Sequence, residues 1–180
     1  SLADLATGAK DLLHFNQLNG IAQAVDLLAT AVTTQQRIVI IGDFDADGAT
    51  STALCMLCLR DLGLNNVAYL VPNRFDFGYG LSPEIVDVAI SQFAPDILLT
   101  VDNGIACHAG VAHAKAHGLQ VLITDHHLPA DTLPNADAIV NPNQQHCEFG
   151  SKHLAGVGVA FYVLSALKTK LQQDGWFNDV

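Results

Sequence analysis

A chain of 180 residues is about one domain, and with 50% hydrophobic residues it can bury a sizeable core, which excludes a disordered chain. The net charge of −10, from 18 acids against 8 lysines and arginines, excludes a simple basic phosphate-gripping surface. It does not exclude a nucleic-acid substrate, because acids that hold metal ions stop repelling phosphate. No apolar run is long enough for a membrane span, and SLADLATGAKDLLHF lacks the basic region of a secretory signal, so a cytoplasmic protein is expected.

In chain order, IAQAVDLLATAVTTQQ has apolar residues at 21, 24, 25, 28 and 32, which is helical spacing. RIVIIGD is a short β-branched strand that stops at Gly42. ATSTALCMLCLRDLG predicts a helix ending at Gly63. NVAYLVP is a second strand. SPEIVDVAISQF opens with Ser82 as a cap, Pro83 in the first turn and Glu84 near the positive helix end. DILLTVDNG is a third strand, CHAGVAHAKAHG a helix, QVLITDHH a fourth strand and ADAIVNP a short fifth. LAGVGVAFYVLSALKTKLQQ predicts a long final helix starting near Gly156. Apolar strands alternating with helices imply βαβ units and a sheet covered on both faces. The fold class is α/β, doubly wound, with a mainly parallel five-stranded sheet behind an N-terminal helical lead-in over 1–36.

The acids fall at strand ends. Asp43, Asp45 and Asp47 follow the first strand in DFDADG, Asp102 ends the third, and Asp125 ends the fourth with His126 and His127 beside it. In a parallel sheet all strand C-termini share one edge, so these groups can meet in one crevice. That crevice repels itself unless cations fill it or some acids take up protons. Carboxylates with imidazoles and no thiolate suit Mg²⁺ or Mn²⁺ better than zinc. Asp102, from a strand expected to be central, is the natural bridge between two ions, and such a pair serves in-line displacement at phosphorus.

Other readings fare worse. DxDxDG matches the start of an EF-hand loop, but position 12, a glutamate there, is Leu54, and the preceding segment is strand-like. A receiver domain needs a lysine at its last strand end, where this chain has IVNP. The CMLC pair, Cys55 and Cys58, lies inside an apolar helix with no second pair at zinc spacing, so it is read as packing. His113 and His117 are at i, i+4 with no acid between them, so HExxH is absent and they are read as a solvated face.

DFDADGATS, TVDNGI and TDHHLP, in this order, resemble the DHH phosphoesterase superfamily, named for the triplet seen here as Asp125-His126-His127. VPNRFDFGYGLSPE, VNPN and SKHLAGVGVAFYVL resemble the RecJ family of single-stranded-DNA-specific exonucleases within it. The resemblance covers about 37–177. It implies release of mononucleotides from the 5′ end of single-stranded DNA in recombination and repair, with single-strand-binding protein and a helicase as partners. It implies two Mn²⁺ or Mg²⁺ ions with Asp43, Asp45, Asp47, Asp102 and His126 as ligands, and His127 at the scissile phosphate or in proton transfer. Asp125 is assigned to the catalytic group as the residue that orients a histidine. Arg74 is assigned to a phosphate and Tyr79 to base stacking. Gly78 and Gly80 would let that loop bend, and the glycines of AGVGVA would present N–H groups to an anion or pack closely. The family carries a further metal-binding aspartate in a motif after residue 180, so residues 37–180 read as a catalytic domain truncated before it, expected to be weak or inactive alone. The alternatives are a DHH phosphodiesterase for short oligoribonucleotides or cyclic dinucleotides, and an inactive scaffold.

Overall fold

The structure is a computed structural model, and residues 12–72 and 80–177 are described. Arg74, Gly78 and Tyr79 lie outside the described residues. After a 3₁₀ turn at Phe15–Gln17 come α1 (Ile21–Thr34), β1 (Ile38–Ile41), α2 (Ala46–Asp61), β2 (Val67–Leu70), α3 (Pro83–Phe93), β3 (Ile97–Val101), α4 (His108–Ala116), β4 (Gln120–Thr124), β5 (Ala138–Val140) and α5 (Gly156–Gln173). The five strands form one sheet in the order β2-β1-β3-β4-β5. Every pairing is parallel, with Ile38 opposite both Val67 and Ile97, and Ile97 opposite Gln120.

The strands alternate between two cores. Ile38 and Ile40 of β1 pack with α1, α2 and α5, whereas Val39 and Ile41 pack with α3 and α4. All four are buried, so β1 reads as an unbroken apolar run instead of an alternating one. Leu28, Ala31 and Val32 of α1 have no exposed surface, so the first helix shares the core of the sheet it precedes. Each such fully buried Leu or Val contributes about 1.5–3 kcal/mol.

Local chemistry sets the helix starts. Ser82 accepts from the Ile85 N–H and Pro83 occupies the first turn of α3, as its sequence predicts. Helix α2 begins earlier than its apolar pattern indicates, at Ala46 instead of Ala49, because the Asp45 carboxylate accepts from the Gly48 N–H as an N-cap. Asp47 thereby moves from a loop into the first helical turn. Gly48 is forced: a Cβ there would lie 2.6 Å from Asp43 Cβ. Helix α5 starts at Gly156. Strand order reverses between β1 and β3, which places the ends of those two strands at the crevice where a doubly wound sheet binds ligands.

Candidate metal centre

Asp43 and Asp102 stand at that crevice, at the ends of β1 and β3. Asp43 is 8% exposed and its Oδ1 accepts from the Phe44 N–H at 2.7 Å. Asp102 is 2% exposed and has a left-handed backbone with φ of 63°, an unusual conformation for a residue with a side chain. Its neighbours maintain this turn. The Asn103 side-chain amide donates to the Ile41 and Val101 carbonyls at 3.1 and 2.9 Å, tying the ends of β1 and β3 together. The Thr100 hydroxyl donates to the Asn103 carbonyl at 2.7 Å.

The triplet after β4 is held mainly by its own first residue. Asp125 is 1% exposed. Its Oδ1 accepts from the backbone N–H of His126 at 2.7 Å, the N–H of His127 at 3.1 Å and His127 Nδ1 at 2.7 Å. Its Oδ2 accepts from the Ile105 N–H at 2.9 Å. Asp125 is therefore saturated inside the protein and orients His127. A neutral His127 must donate through Nδ1, so its ring lone pair is on Nε2. His126 turns the other way, with Nε2 3.0 Å from Asp102 Oδ1 and 3.8 Å from Asp47 Oδ2.

Two donor groups result, and they share Asp102. Asp43, Asp45 and Asp102 each offer an oxygen, all within 4.8 Å of one another, and Asp102, His126 and His127 do the same with one oxygen and two nitrogens. Asp47 is in neither group. Its Oδ2 accepts from the Gly156 N–H at 2.7 Å and its Oδ1 from the Val157 N–H at 2.8 Å. The anion facing the start of α5 is thus a carboxylate of the chain itself, as the positive helix end favours. Both roles considered for the AGVGVA glycines apply at Gly156, since a Cβ there would lie 2.4 Å from Asp102 Oδ1.

The electrostatics reflect this crowding. Burial, followed by the charges of Asp47 and Asp45, pushes the Asp102 carboxyl up to about 7. Burial works against a charged His127, but the hydrogen bond to Asp125 and the charges of Asp125, Asp102 and Asp43 outweigh it and raise its pKa. A buried carboxyl that resists ionisation in a cage of oxygen and imidazole donors, with no thiolate among them, fits a hard divalent cation.

A family model for the DHH family, N-terminal domain, matches residues 37–177. The chain belongs to this family. Its DHH triplet is Asp125-His126-His127, and the resemblance seen in the motifs extends over nearly the whole chain. The chain is 58% identical over 179 residues to the single-stranded-DNA-specific exonuclease RecJ of Salmonella typhimurium, covering 99% of this chain and 31% of that protein. To the RecJ of Escherichia coli it is 55% identical over 179 residues, with the same 99% and 31% coverage. A crystal structure of exonuclease RecJ bound to manganese matches with a TM-score of 0.79 and 37% identity, over 89% of this chain and 40% of that one. The doubly wound α/β fold expected of a DHH domain is the fold observed.

Sequence reasoning missed the residues that position the DHH triplet from outside it. The Asn141 side-chain amide donates to the His127 carbonyl at 2.9 Å, and that of Asn143 to the His126 carbonyl at 2.6 Å. The VNPN motif at the end of β5 thus holds the backbone of both histidines. The signal was available, in two asparagines just past an apolar strand at the edge where the acids gather.

Proposed function

We propose that the protein is a metal-dependent exonuclease that hydrolyses single-stranded DNA from its 5′ end and releases mononucleotides, in recombination and repair. The observation that carries this reading is the pair of donor groups meeting at Asp102. It is supported by the RecJ names of the relatives and by the manganese of the solved neighbour. Asp43, Asp45 and Asp102 would hold one ion, and Asp102 with His126 the other, with Mn²⁺ or Mg²⁺ as the cofactor. Two ions bound there would neutralise the carboxylates and supply Lewis acidity at phosphorus.

The chain's own groups do the rest. Asp47, held by the start of α5 and 3.8 Å from His126 Nε2, would be a further ligand at this edge. Asp125 holds His127 so that Nε2 contacts the scissile phosphate and moves a proton. Asn141 and Asn143 hold the two histidines at their backbone. Arg74 pairs with a backbone phosphate and Tyr79 stacks on a base. Single-strand-binding protein and a helicase are proposed partners. No helix among the described residues is long and apolar enough to cross a membrane, and a cytoplasmic location is proposed.

The test uses the full-length protein with Mn²⁺ on 5′- and 3′-labelled single- and double-stranded DNA and RNA, beside Asp102→Ala. Mononucleotides released from the 5′ end of single-stranded DNA, and none from the variant, is the expected result. Preference for RNA, or an active Asp102→Ala, overturns the reading.

A further inference from the structure

A second cluster of histidine and carboxylate lies away from the sheet edge, on the two helices that cover the other face. Helices α3 and α4 pack side by side over Val39, Leu98 and Ile123, with Ile85, Val86, Ala89, Val111 and Ala114 buried between them. The start of α4 lies close against the segment leading into α3: a Cβ at Gly110 would lie 2.1 Å from the Leu81 carbonyl oxygen. On the outer side of this contact, His113 Nε2 is 2.7 Å from Asp87 Oδ1. His117 is one turn further along, and its ring centroid is 4.5 Å from that of His113. Asp87, His113 and His117 each offer one donor atom, all within 4.8 Å of one another.

We propose that Asp87, His113 and His117 form a binding site for a borderline divalent cation of the zinc type, separate from the centre at Asp102. Three features of the geometry support this. Histidines at i and i+4 project from one face of a helix, which is the spacing zinc sites use on helices. The ring of His117 is already oriented, because Nδ1 is 2.9 Å from the His113 carbonyl oxygen. A carbonyl can only accept, so Nδ1 carries the proton and Nε2 the lone pair, the arrangement by which metal-bound histidines are held. The third donor comes from the neighbouring helix, so an ion would join α3 to α4. Zinc at its usual bond lengths of about 2.0–2.2 Å needs donors about 3.3 Å apart. Exposed side chains reach this from the present spacing by small rotations, with the ion displacing the Nε2 proton of His113. Two imidazoles with a carboxylate favour zinc over magnesium, which prefers oxygen donors.

This site does not depend on the nuclease reading. The test uses full-length protein carrying Asp102→Asn and His126→Asn, which disables the other centre. Zinc affinity and stoichiometry are measured against a chromogenic chelator, and Co²⁺ absorption reports the geometry. One equivalent should bind and should raise the melting temperature. His117→Ala should weaken binding at least about tenfold, and Asp87→Asn should reduce it as well. Lys115→Ala, on the same helix but paired with Asp137, should leave binding unchanged. In a chelator the variants' melting curves should differ by no more than the small cost of the side-chain pair each removes. The proposal is overturned if no equivalent binds, or if binding is indifferent to both His117→Ala and Asp87→Asn, as it would be were the cluster only a surface ion pair.

Discussion

Among the described residues, two histidine–carboxylate clusters differ in where the fold puts them. At the sheet edge, Asp102 and Asp125 are 2% and 1% exposed, and Asp43 and Asp45 crowd in from the β1–α2 connection with Asp47 from the first turn of α2. On the helical layer, Asp87 and His117 are exposed and His113 is partly so. The same side-chain types therefore have different physics. Burial and like charge raise the Asp102 acid, whereas on the surface water screens the Asp87–His113 pair and leaves it worth about 0–1 kcal/mol. Donor chemistry alone does not make a catalytic centre. Desolvated charge at a strand end, supported by hydrogen bonds to its neighbours, distinguishes one cluster from the other.

The largest expected effect is at the shared residue. Asp102→Ala in the full-length protein should lower the 5′ nuclease rate by about a thousandfold or more in single-turnover assays. A loss under tenfold would remove Asp102 from the centre of the site. Gly156→Ala comes next. Its methyl group would press on the Asp102 carboxylate, costing about 1–3 kcal/mol of stability in denaturant melts and reducing activity beyond the loss in folded fraction. If Gly156→Ala is neutral on both counts, the close approach of α5 to Asp102 is unimportant.

Asn141→Ala and Asn143→Ala probe the backbone support of the DHH triplet. Each should reduce activity or metal affinity by about 10–100-fold, and Asn141→Ala, at a fully buried and hydrogen-bonded position, should also lower metal-free stability by about 1–3 kcal/mol. The pH dependence of the metal-free protein is a subtler contrast. Asp102 has a folded-state pKa of about 7, against about 3.9 in an unfolded chain. Between those values the unfolded state releases its proton first, so stability should fall as pH rises from about 4 to 7. Asp102→Asn should flatten that slope, and so should a saturating divalent cation. The smallest effect is reserved for the surface: in the absence of zinc, His113→Gln should change stability by no more than about 0.5–1 kcal/mol in thermal melts and leave the nuclease rate within about twofold.

Much of this was legible in the chain. Apolar strands alternating with amphipathic helices dictated a parallel, doubly covered sheet, because buried strands need apolar residues on both faces and parallel strands need crossovers. Acids at the ends of three such strands had to share an edge for the same topological reason. Local rules also gave the Ser82 cap and the start of α5 at Gly156, since those depend on neighbours in sequence. Tertiary structure alone decided the rest. The pairing of Asp47 with the N–H groups of Gly156 and Val157 joins residues more than a hundred positions apart, and no periodicity encodes it. The left-handed turn at Asp102 follows from Asn103 bridging two strand ends. His113 and His117 read as a solvated face from their own helix, because the carboxylate that gives them a partner comes from α3. Contacts set by side-chain spacing within one element can be read along the chain, whereas those requiring two elements to meet at a particular depth and angle depend on packing.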